Sequence, residues 1–238
     1  MKTTILEWRR SIPLFYSLCA SLSLLWLTIF SCGACVASES LSISEVLKGV
    51  QKRYGVTDFE ADFVQESHLK AMDMVDSACG HVCFRPPAMM RWHYKRPEQY
   101  VMMTDGHSVW IYRPEENQVM VGRAVDYFGD AAWTGFFAEP DKLLEKFVLR
   151  FAAKEFAEEG LVVLELLPKK GVSNLAKIRL SISESTFDIV RSVTYNLFGD
   201  KTSIRFENFR FNQGLDSSLF IFKVPKNADV LQLEGEGG

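Results

Sequence analysis

The stretch MRWHYKRPEQYVMMTDGHSVWIYR, residues 90–113, decides the fold class. Apolar and polar residues alternate with a period of two on both sides of the dipeptide Asp105-Gly106. This dipeptide favours a type I′ turn, and it lies between the candidate strands Tyr100–Thr104 and Ser108–Tyr112. The stretch therefore predicts an antiparallel hairpin.

The same alternation continues outside the hairpin. Upstream it runs through Phe59–Val64 and Gly80–Arg85. Downstream it predicts further strands at Gln118–Val121, Leu161–Leu167, Lys177–Ser183, Ile189–Leu197, Thr202–Phe211 and Leu219–Val224. Roughly ten antiparallel strands without a parallel crossover predict a mainly β fold, a curved sheet or incomplete antiparallel β-barrel.

Short helices accompany the strands. Ser42-Ile43-Ser44-Glu45 is a capping box, and apolar residues then recur at helical spacing as far as Tyr54, before Gly55. Residues 124–150 break the strand alternation, and they predict a short helix, a turn and a second helix that begins near Pro140.

The N-terminal segment has the pattern of a secretory signal peptide. Lys2, Arg9 and Arg10 precede the apolar run Ile12–Phe30, and Cys35-Val36-Ala37 offers small residues before a cleavage site. We expect a signal peptide over residues 1–37 and one domain over residues 38–238. An uncleaved membrane anchor is the alternative, because about 20 apolar residues span a bilayer. Lipid attachment at Cys32 or Cys35 is another, although neither has a well-matched set of preceding residues.

Composition and motifs exclude several classes of function. The 238 residues carry a formal charge of −3 and no basic cluster, which argues against binding to nucleic acid. There is no phosphate-binding loop, dinucleotide fingerprint or nucleophile elbow. We therefore expect no catalytic residues, no cofactor and no enzymatic activity.

Two cysteines follow the N-terminal segment, and they belong to the run Cys79-x-His81-x-Cys83. In a straight strand these cysteines lie about 13 Å apart, which predicts two free thiols unless the chain bends at Gly80. Three possible ligands along one flat strand are too spread for a metal ion, so we expect no metal site.

Methionine is concentrated in one part of the chain. Apart from Met1, every Met lies between Met72 and Met120. Met89-Met90 and Met102-Met103 are adjacent pairs, and adjacent residues of a strand point to opposite faces. Either the second face of the sheet is covered, or it lines a cavity suited to flexible apolar side chains.

Several motifs, in order along the chain, resemble those of the outer-membrane lipoprotein carrier proteins, the LolA family. They are Phe59–Gln65, Arg85-Pro86, Arg91–Pro97, Thr104–Pro114, Leu164–Pro168, Gly199–Phe206 and Phe220–Pro225. The resemblance implies an incomplete antiparallel barrel with a helical lid over an apolar cavity. It also implies a monomeric periplasmic carrier that takes acylated lipoproteins from an inner-membrane ATP-driven exporter to an outer-membrane acceptor.

The resemblance also suggests site residues. It aims Met90 into the cavity, and alternation places Trp92 and Tyr94 beside it; we add Met103 and Trp110 to this lipid-binding wall. Arg85 matches the arginine that contacts the lid. The lid itself is expected over 127–137, with the apolar residues Tyr127, Phe128, Trp133, Phe136 and Phe137. If Met90 lines a cavity, Met90→Glu should fold and lose lipoprotein transfer.

Two other functions remain open on the sequence. One is the outer-membrane lipoprotein acceptor of the same fold, which would itself be lipidated. The other is a non-enzymatic signalling or lipid-sensing module on a similar sheet, which would not protect acylated peptides.

Overall fold

A single open, curved sheet dominates the computed structural model, which describes residues 41–55, 57–128, 140–169 and 175–233. Twelve strands are found in these ranges: β1 Phe59–Leu69, β2 Met74–Arg85, β3 Met89–Arg96, β4 Tyr100–Thr104, β5 Ser108–Arg113, β6 Gln118–Arg123, β7 Phe147–Phe151, β8 Leu161–Pro168, β9 Leu175–Ser183, β10 Ile189–Asn196, β11 Lys201–Phe211 and β12 Asp229–Gln232. The predicted mainly β fold with few short helices is confirmed. The predicted signal peptide over residues 1–37 lies outside the described residues.

The strand order is β12-β6-β5-β4-β3-β2-β1-β11-β10-β9-β8-β7. β1 pairs with β2 on one side and β11 on the other, so it joins two groups of strands that are consecutive in the chain. The pairing of β12 with β6 is parallel, whereas the other pairings are antiparallel. The expectation of antiparallel strands without a parallel crossover is therefore wrong at this edge, where β12 adds a parallel strand to an otherwise antiparallel sheet.

Three α-helices lie in the described part of the chain: α1 Ile43–Tyr54, α2 Ala124–Phe128 and α3 Pro140–Lys146. The predicted capping box of α1 is present, because the Ser42 hydroxyl accepts from the Glu45 N–H and the Glu45 carboxylate accepts from the Ser42 N–H. No helix in the described ranges has the length and apolar character needed to cross a membrane.

The two faces of the sheet differ, and we call the face under α1 the inner face. Residues paired across neighbouring strands share a face, and Phe84 pairs with both Phe59 and Met90. These three side chains are buried in one apolar cluster with Val46 and Val50 of α1. The inner face therefore holds the core, and the opposite side is the outer face.

Polar contacts fix α1 above the inner face. The Ile189 N–H donates to the hydroxyl of Tyr54, 2.9 Å away, and the Arg53 guanidinium pairs with Asp188 at 2.7 Å. The Tyr54 ring also packs edge-on against Phe59, at 5.2 Å between centroids. These contacts hold the C-terminal turn of α1 against β1 and the start of β10.

Gly49 allows α1 to approach the turn between β9 and β10. A Cβ on Gly49 would lie 2.3 Å from Cδ1 and 2.4 Å from Cγ of Phe187, whose own φ is +59°. We expect Gly49→Ala to lower the free energy of unfolding by about 1–3 kcal/mol in urea titrations, even though alanine favours helices. Lys48→Ala, at the exposed neighbouring position, should change it by less than about 0.5 kcal/mol. A Gly49→Ala protein as stable as the parent would mean that the Phe187 ring moves aside freely.

The hairpin of β4 and β5 forms where predicted, with a different turn. A type I′ turn needs positive φ at both central residues, but Gly106 has φ +96° and Asp105 lies outside the left-handed region. The Asp105 carboxylate instead accepts from the N–H groups of His107 and Ser108, both at 2.8 Å. This side-chain cap stabilises a longer loop.

Two predictions near the ends of the sheet are wrong. Residues 147–150, expected to lack strand structure, belong to β7, because Phe147 adds a buried residue beside β8. Leu219–Val224, expected as a strand, begins instead in the 3₁₀ helix Ser217–Phe220, which the Asp216 carboxylate caps at the Ser218 N–H. The segment after it crosses the outer face, where the Phe222 ring packs against Trp110.

Candidate functional site

An aliphatic crevice lies between the helices and one half of the inner face. Its volume is about 10 Å³, and its lining is entirely aliphatic: Leu47, Val50, Leu143, Leu149, Leu164, Leu166, Leu180, Ile182 and Ile189. We call it the inner crevice. It holds at most about one water-sized sphere, and an apolar space of this kind stays dry. In this state the helices close the crevice against β7–β10.

The other half of the inner face is aromatic. Phe63 packs edge-on against Trp92 and Tyr94, each at 4.9 Å between ring centroids. Trp92 also meets Phe206 of β11 at 5.8 Å, and Tyr94 stacks on Tyr100 at 4.1 Å. Aromatic and aliphatic halves together make a continuous apolar layer over most of the sheet.

Few polar groups interrupt this layer. The Tyr94 hydroxyl donates to Oε1 of Gln65 at 3.1 Å. Burial raises the pKa of Tyr94 far above its usual range, and the neighbouring Tyr100 and Tyr127 add to the rise. Burial likewise raises the pKa of Tyr100. Both phenols therefore stay neutral at physiological pH, and this part of the inner face carries no charge from them.

Three of the five residues predicted for the lipid-binding wall lie together. Met90, Trp92 and Tyr94 share the inner face of β3, with 1%, 4% and 6% of their surface exposed. They belong to the packed apolar cluster that also contains Val46 and Val50 of α1. They are therefore core residues in this state, on the face that the prediction required.

The structure separates Met103 and Trp110 from that group. Met90 pairs with Thr104 and Trp92 with Met102, so Met103 points to the outer face. Trp110 pairs with Met103 and stacks on Phe222 of the C-terminal segment, 6.1 Å between centroids. Assigning all five residues to one wall is thus wrong, because the sheet runs between the two sets.

The predicted lid is only partly described. Tyr127 and Phe128 fall in α2, and the phenol of Tyr127 is close enough to Tyr94 and Tyr100 to raise their pKa values. Trp133, Phe136 and Phe137 lie outside the described residues. α2 therefore places one predicted lid residue beside the aromatic half of the inner face.

Arg85, the predicted latch, ends β2 and pairs with Met89, on the outer-face register of the sheet. Its charge helps to lower the pKa of Asp216, after the hydrogen bonds from Ser218 that act on that carboxylate first. Asp216, an electrostatic neighbour of Arg85, belongs to the C-terminal segment.

The outer face behind the inner crevice carries an ion network. Glu165 of β8 is 4% exposed and accepts from Arg179 at 2.9 Å, Arg150 at 2.9 Å and Lys177 at 3.2 Å. Burial raises the pKa of Glu165, but the hydrogen bonds from these three cations outweigh it and bring the pKa to about 2. The network joins β7, β8 and β9 by ion pairs on the outer face.

The sequence reading missed the aliphatic half of the site. β8 reads LVVLELLP, and burial on both faces of this strand hides the alternation that would have separated inner from outer residues. Leu143 of α3 was missed because a seven-residue helix gives too few turns for a clear periodicity. The apolar run from Leu161 to Leu167 was the available signal.

The sequence resembles those of lipoprotein carriers over most of its length. The family model described as "Outer membrane lipoprotein carrier protein LolA" matches residues 54–223. The "Outer-membrane lipoprotein carrier protein" of Dechloromonas aromatica is 30% identical over 72% of this chain and 80% of that protein. The protein of the same name from Legionella pneumophila strain Corby is 28% identical over 81% of this chain and 91% of its own.

The fold also has a solved counterpart. An uncharacterized conserved protein from Thermus thermophilus superposes with a TM-score of 0.54 at 18% identity, over 81% of this chain and 100% of that chain. At that level of identity the likeness concerns the fold alone.

Proposed function

The chain belongs to the family of outer membrane lipoprotein carrier proteins, LolA, and from that premise we propose that it binds the acyl chains of lipoproteins against its inner face and carries them through the periplasm. The observation that carries the proposal is the inner crevice, where α1 and α3 cover a dry aliphatic surface of the sheet. Acyl chains enter when these helices separate from β7–β10. The carrier binds and releases its cargo without catalysing a reaction.

The energetics favour a closed crevice over an open pocket. Burial of hydrocarbon is worth about 0.8 kcal/mol per methylene, so a chain of about 14 methylenes gains on the order of 11 kcal/mol. A carrier that kept all of this free energy would not release its cargo. Separating the helices from the sheet exposes apolar residues, and that cost lowers the net affinity to a value compatible with transfer.

The route follows from the same proposal. The carrier receives acylated lipoproteins from an inner-membrane ATP-driven exporter and delivers them to an outer-membrane acceptor. The exporter supplies the free energy, so the carrier needs no nucleotide of its own. We propose that the carrier acts as a monomer. The position of Tyr127 in α2, beside Tyr94 and Tyr100, supports the proposal that Tyr127 belongs to a movable lid, whereas Arg85 lies on the outer-face register and is not proposed as its latch.

A variant of the inner crevice tests the binding mode. Leu47 lines the crevice from α1, and Gln51 is exposed one turn later on the same helix. We expect Leu47→Glu to weaken binding of a triacylated peptide at least tenfold, because a carboxylate beside hydrocarbon is costly to desolvate. Gln51→Glu adds the same charge and should bind like the parent. Affinity is measured by fluorescence anisotropy of the labelled peptide, with circular dichroism to establish folding.

The unacylated peptide is the ligand control, and it should not bind. Equal affinity of the two variants for the triacylated peptide would place the acyl chain away from the inner crevice. Failure of the parent protein to bind that peptide at all would overturn the carrier proposal. Lipid extraction of the protein purified from its native cells should then also yield no acylated protein.

The chemical state of the N-terminus distinguishes a periplasmic carrier from a lipidated outer-membrane acceptor and from a membrane-anchored protein. We propose that residues 1–37 are removed and that the mature chain starts at Ser38 in the periplasm. Mass spectrometry of the native N-terminus should give an unmodified Ser38. A diacylglyceryl group on Cys32 or Cys35 would instead identify the lipidated outer-membrane acceptor, and an intact segment in the membrane fraction would identify an anchor.

A further inference from the structure

Three different metal-ligating side chains meet on the outer face, away from the inner crevice. Glu60 belongs to β1, and His81 and Cys83 belong to β2. One donor atom from each lies within 4.8 Å of the other two. Nε2 of His81 is 3.2 Å from Oε2 of Glu60. The side chains of Glu60 and His81 are about one-fifth exposed, so solutes reach the cluster.

Asp62 sets the orientation of the His81 ring. Its Nδ1 is 2.9 Å from Oδ1 of Asp62, and the other oxygen of Asp62 accepts from the Asn208 amide, also at 2.9 Å. When the Nδ1–H group donates a hydrogen bond to this carboxylate, the lone pair of Nε2 is available to a metal ion bound between Glu60 and Cys83. Histidines that bind metals are commonly held by a carboxylate in this way.

The carboxylate of Glu60 is also fixed in orientation, because one of its oxygens accepts a hydrogen bond and the other faces the cluster. Arg210 of β11 donates to Oε1 at 2.8 Å, so Oε2 is the atom that faces His81. Cross-strand pairing of Glu60 with Cys83 places the thiol on the same face. The cluster thus combines one carboxylate oxygen, one imidazole nitrogen and one sulfur, the donor types that zinc takes in proteins.

We propose that Glu60, His81 and Cys83 form a Zn²⁺ site with Asp62, Asn208 and Arg210 as supporting residues. In a tetrahedral zinc site the nitrogen and oxygen ligands lie about 3.4 Å apart, and sulfur lies about 3.6 Å from either. The 3.2 Å between Nε2 and Oε2 is close to that spacing, and the remaining donors move inward by at most about 1.2 Å. Solvent takes the fourth position.

Binding balances in charge and in protons. Zn²⁺ displaces the thiol proton of Cys83 to solvent and forms the Zn–S bond, while neutral His81 contributes its Nε2 lone pair. The Glu60 carboxylate and the Cys83 thiolate then neutralise the two charges of the metal. The site is independent of the carrier proposal, because it lies on the opposite face of the sheet from the inner crevice.

The donors of the cluster come from two strands, whereas those of a single strand are too far apart to share a metal ion. Cys79, His81 and Cys83 are spread along β2, but pairing brings Glu60 of β1 beside Cys83, and Asp62 beside His81. Cys79 lies four residues before Cys83 on the same face and outside the cluster, and both are free thiols. It is therefore a matched control for Cys83.

The test uses the full chain with Cys19, Cys32 and Cys35 replaced by Ser, so that Cys79 and Cys83 are the remaining thiols. Calorimetric titration with Zn²⁺ should give one equivalent bound. Asp62→Ala should weaken binding 10- to 100-fold, the usual effect of losing a supporting carboxylate. Cys83→Ser and His81→Ala, which remove ligands, should weaken it by at least about a hundredfold, and Cys79→Ser by less than twofold.

A second measurement needs no substitution in the cluster. Zn²⁺ should protect Cys83 from alkylation by iodoacetamide and leave Cys79 reactive, as read by peptide mass spectrometry.

A third measurement identifies the thiolate ligand by its spectrum. With Co²⁺ in place of Zn²⁺, a thiolate-to-metal charge-transfer band should appear in the parent and in Cys79→Ser, and be absent in Cys83→Ser. Absence of stoichiometric Zn²⁺ binding, equal protection of both thiols, or a band that persists in Cys83→Ser would overturn the proposal.

Discussion

Met90→Glu unfolds the protein under conditions in which the parent chain is folded; this is the largest effect that we expect. Met90 is 1% exposed and lies between Phe84 of β2 and Thr104 of β4 on the inner face. The substitution removes a buried apolar side chain and places a carboxylate in the core, at a combined cost of at least about 5 kcal/mol. That cost is comparable to the whole stability of a typical domain. Circular dichroism and urea titration measure it.

Two controls separate burial from other effects of the change. Met90→Leu keeps the volume and should cost less than about 1.5 kcal/mol. Arg91→Glu introduces a carboxylate one residue later, on the outer face, where it removes the hydrogen bond to the Leu219 carbonyl at 3.3 Å. This second variant should fold. A folded Met90→Glu protein that fails to bind acylated peptide would restore the original prediction that Met90 lines an open cavity wall.

Glu165→Gln gives the second largest effect, a loss of about 3–5 kcal/mol in the free energy of unfolding at neutral pH. The amide cannot balance the guanidinium of Arg179, whose side chain is only 10% exposed. The carboxylate of Glu165 also orients Arg150 and Lys177, which are more exposed and find water when it is removed. Urea unfolding of the purified variant measures the difference.

The same residue gives a defined dependence on pH. The folded-state pKa of Glu165 is about 2, below the value of 4.5 for a free glutamate, so the carboxylate favours folding. Its contribution, at most about 3 kcal/mol, is complete above pH 4.5 and is lost as the pH falls towards 2. The parent should lose stability in this interval faster than Glu165→Gln does. Parallel curves for the two proteins would contradict the assignment.

Glu158→Gln is the matched control for the ion network. Glu158 pairs with Arg191 at 3.0 Å on the same face of the sheet, but each side chain is 37% exposed. An exposed pair of this kind contributes about 1 kcal/mol or less. If Glu158→Gln and Glu165→Gln destabilised the protein equally, burial would not be the source of the effect.

Local patterns predicted the elements that depend on local chemistry. α1 begins at its capping box and ends at Tyr54, as the spacing of Ser42, Glu45 and the apolar residues indicates. Alternation places Met90, Trp92 and Tyr94 on one face of β3, and the family resemblance indicated that this face is the inner one. The ordered motifs then gave the family, because together they cover most of the chain.

Contacts between distant residues could not be predicted in the same way. Alternation says which residues share a face within one strand, but pairing decides that Met103 is opposite Arg91 rather than Met90. The grouping of Glu60 with His81 and Cys83 likewise depends on the register between β1 and β2. The 3₁₀ helix Ser217–Phe220 replaces a predicted strand because an Asp216 cap outweighs the apolar pattern.

The position of β1 has a consequence for the order in which the chain folds. β2–β6 follow β1 as a run of neighbours in both sequence and sheet, and β7–β11 form a second such run. Each run closes short loops, whereas pairing β1 with β11 joins residues such as Phe63 and Phe206 that are far apart in the chain. Short loops close first because their entropic cost is lower. During synthesis the two runs therefore assemble separately, and the pairing of β11 with β1, which joins them, waits until residue 211 has left the ribosome.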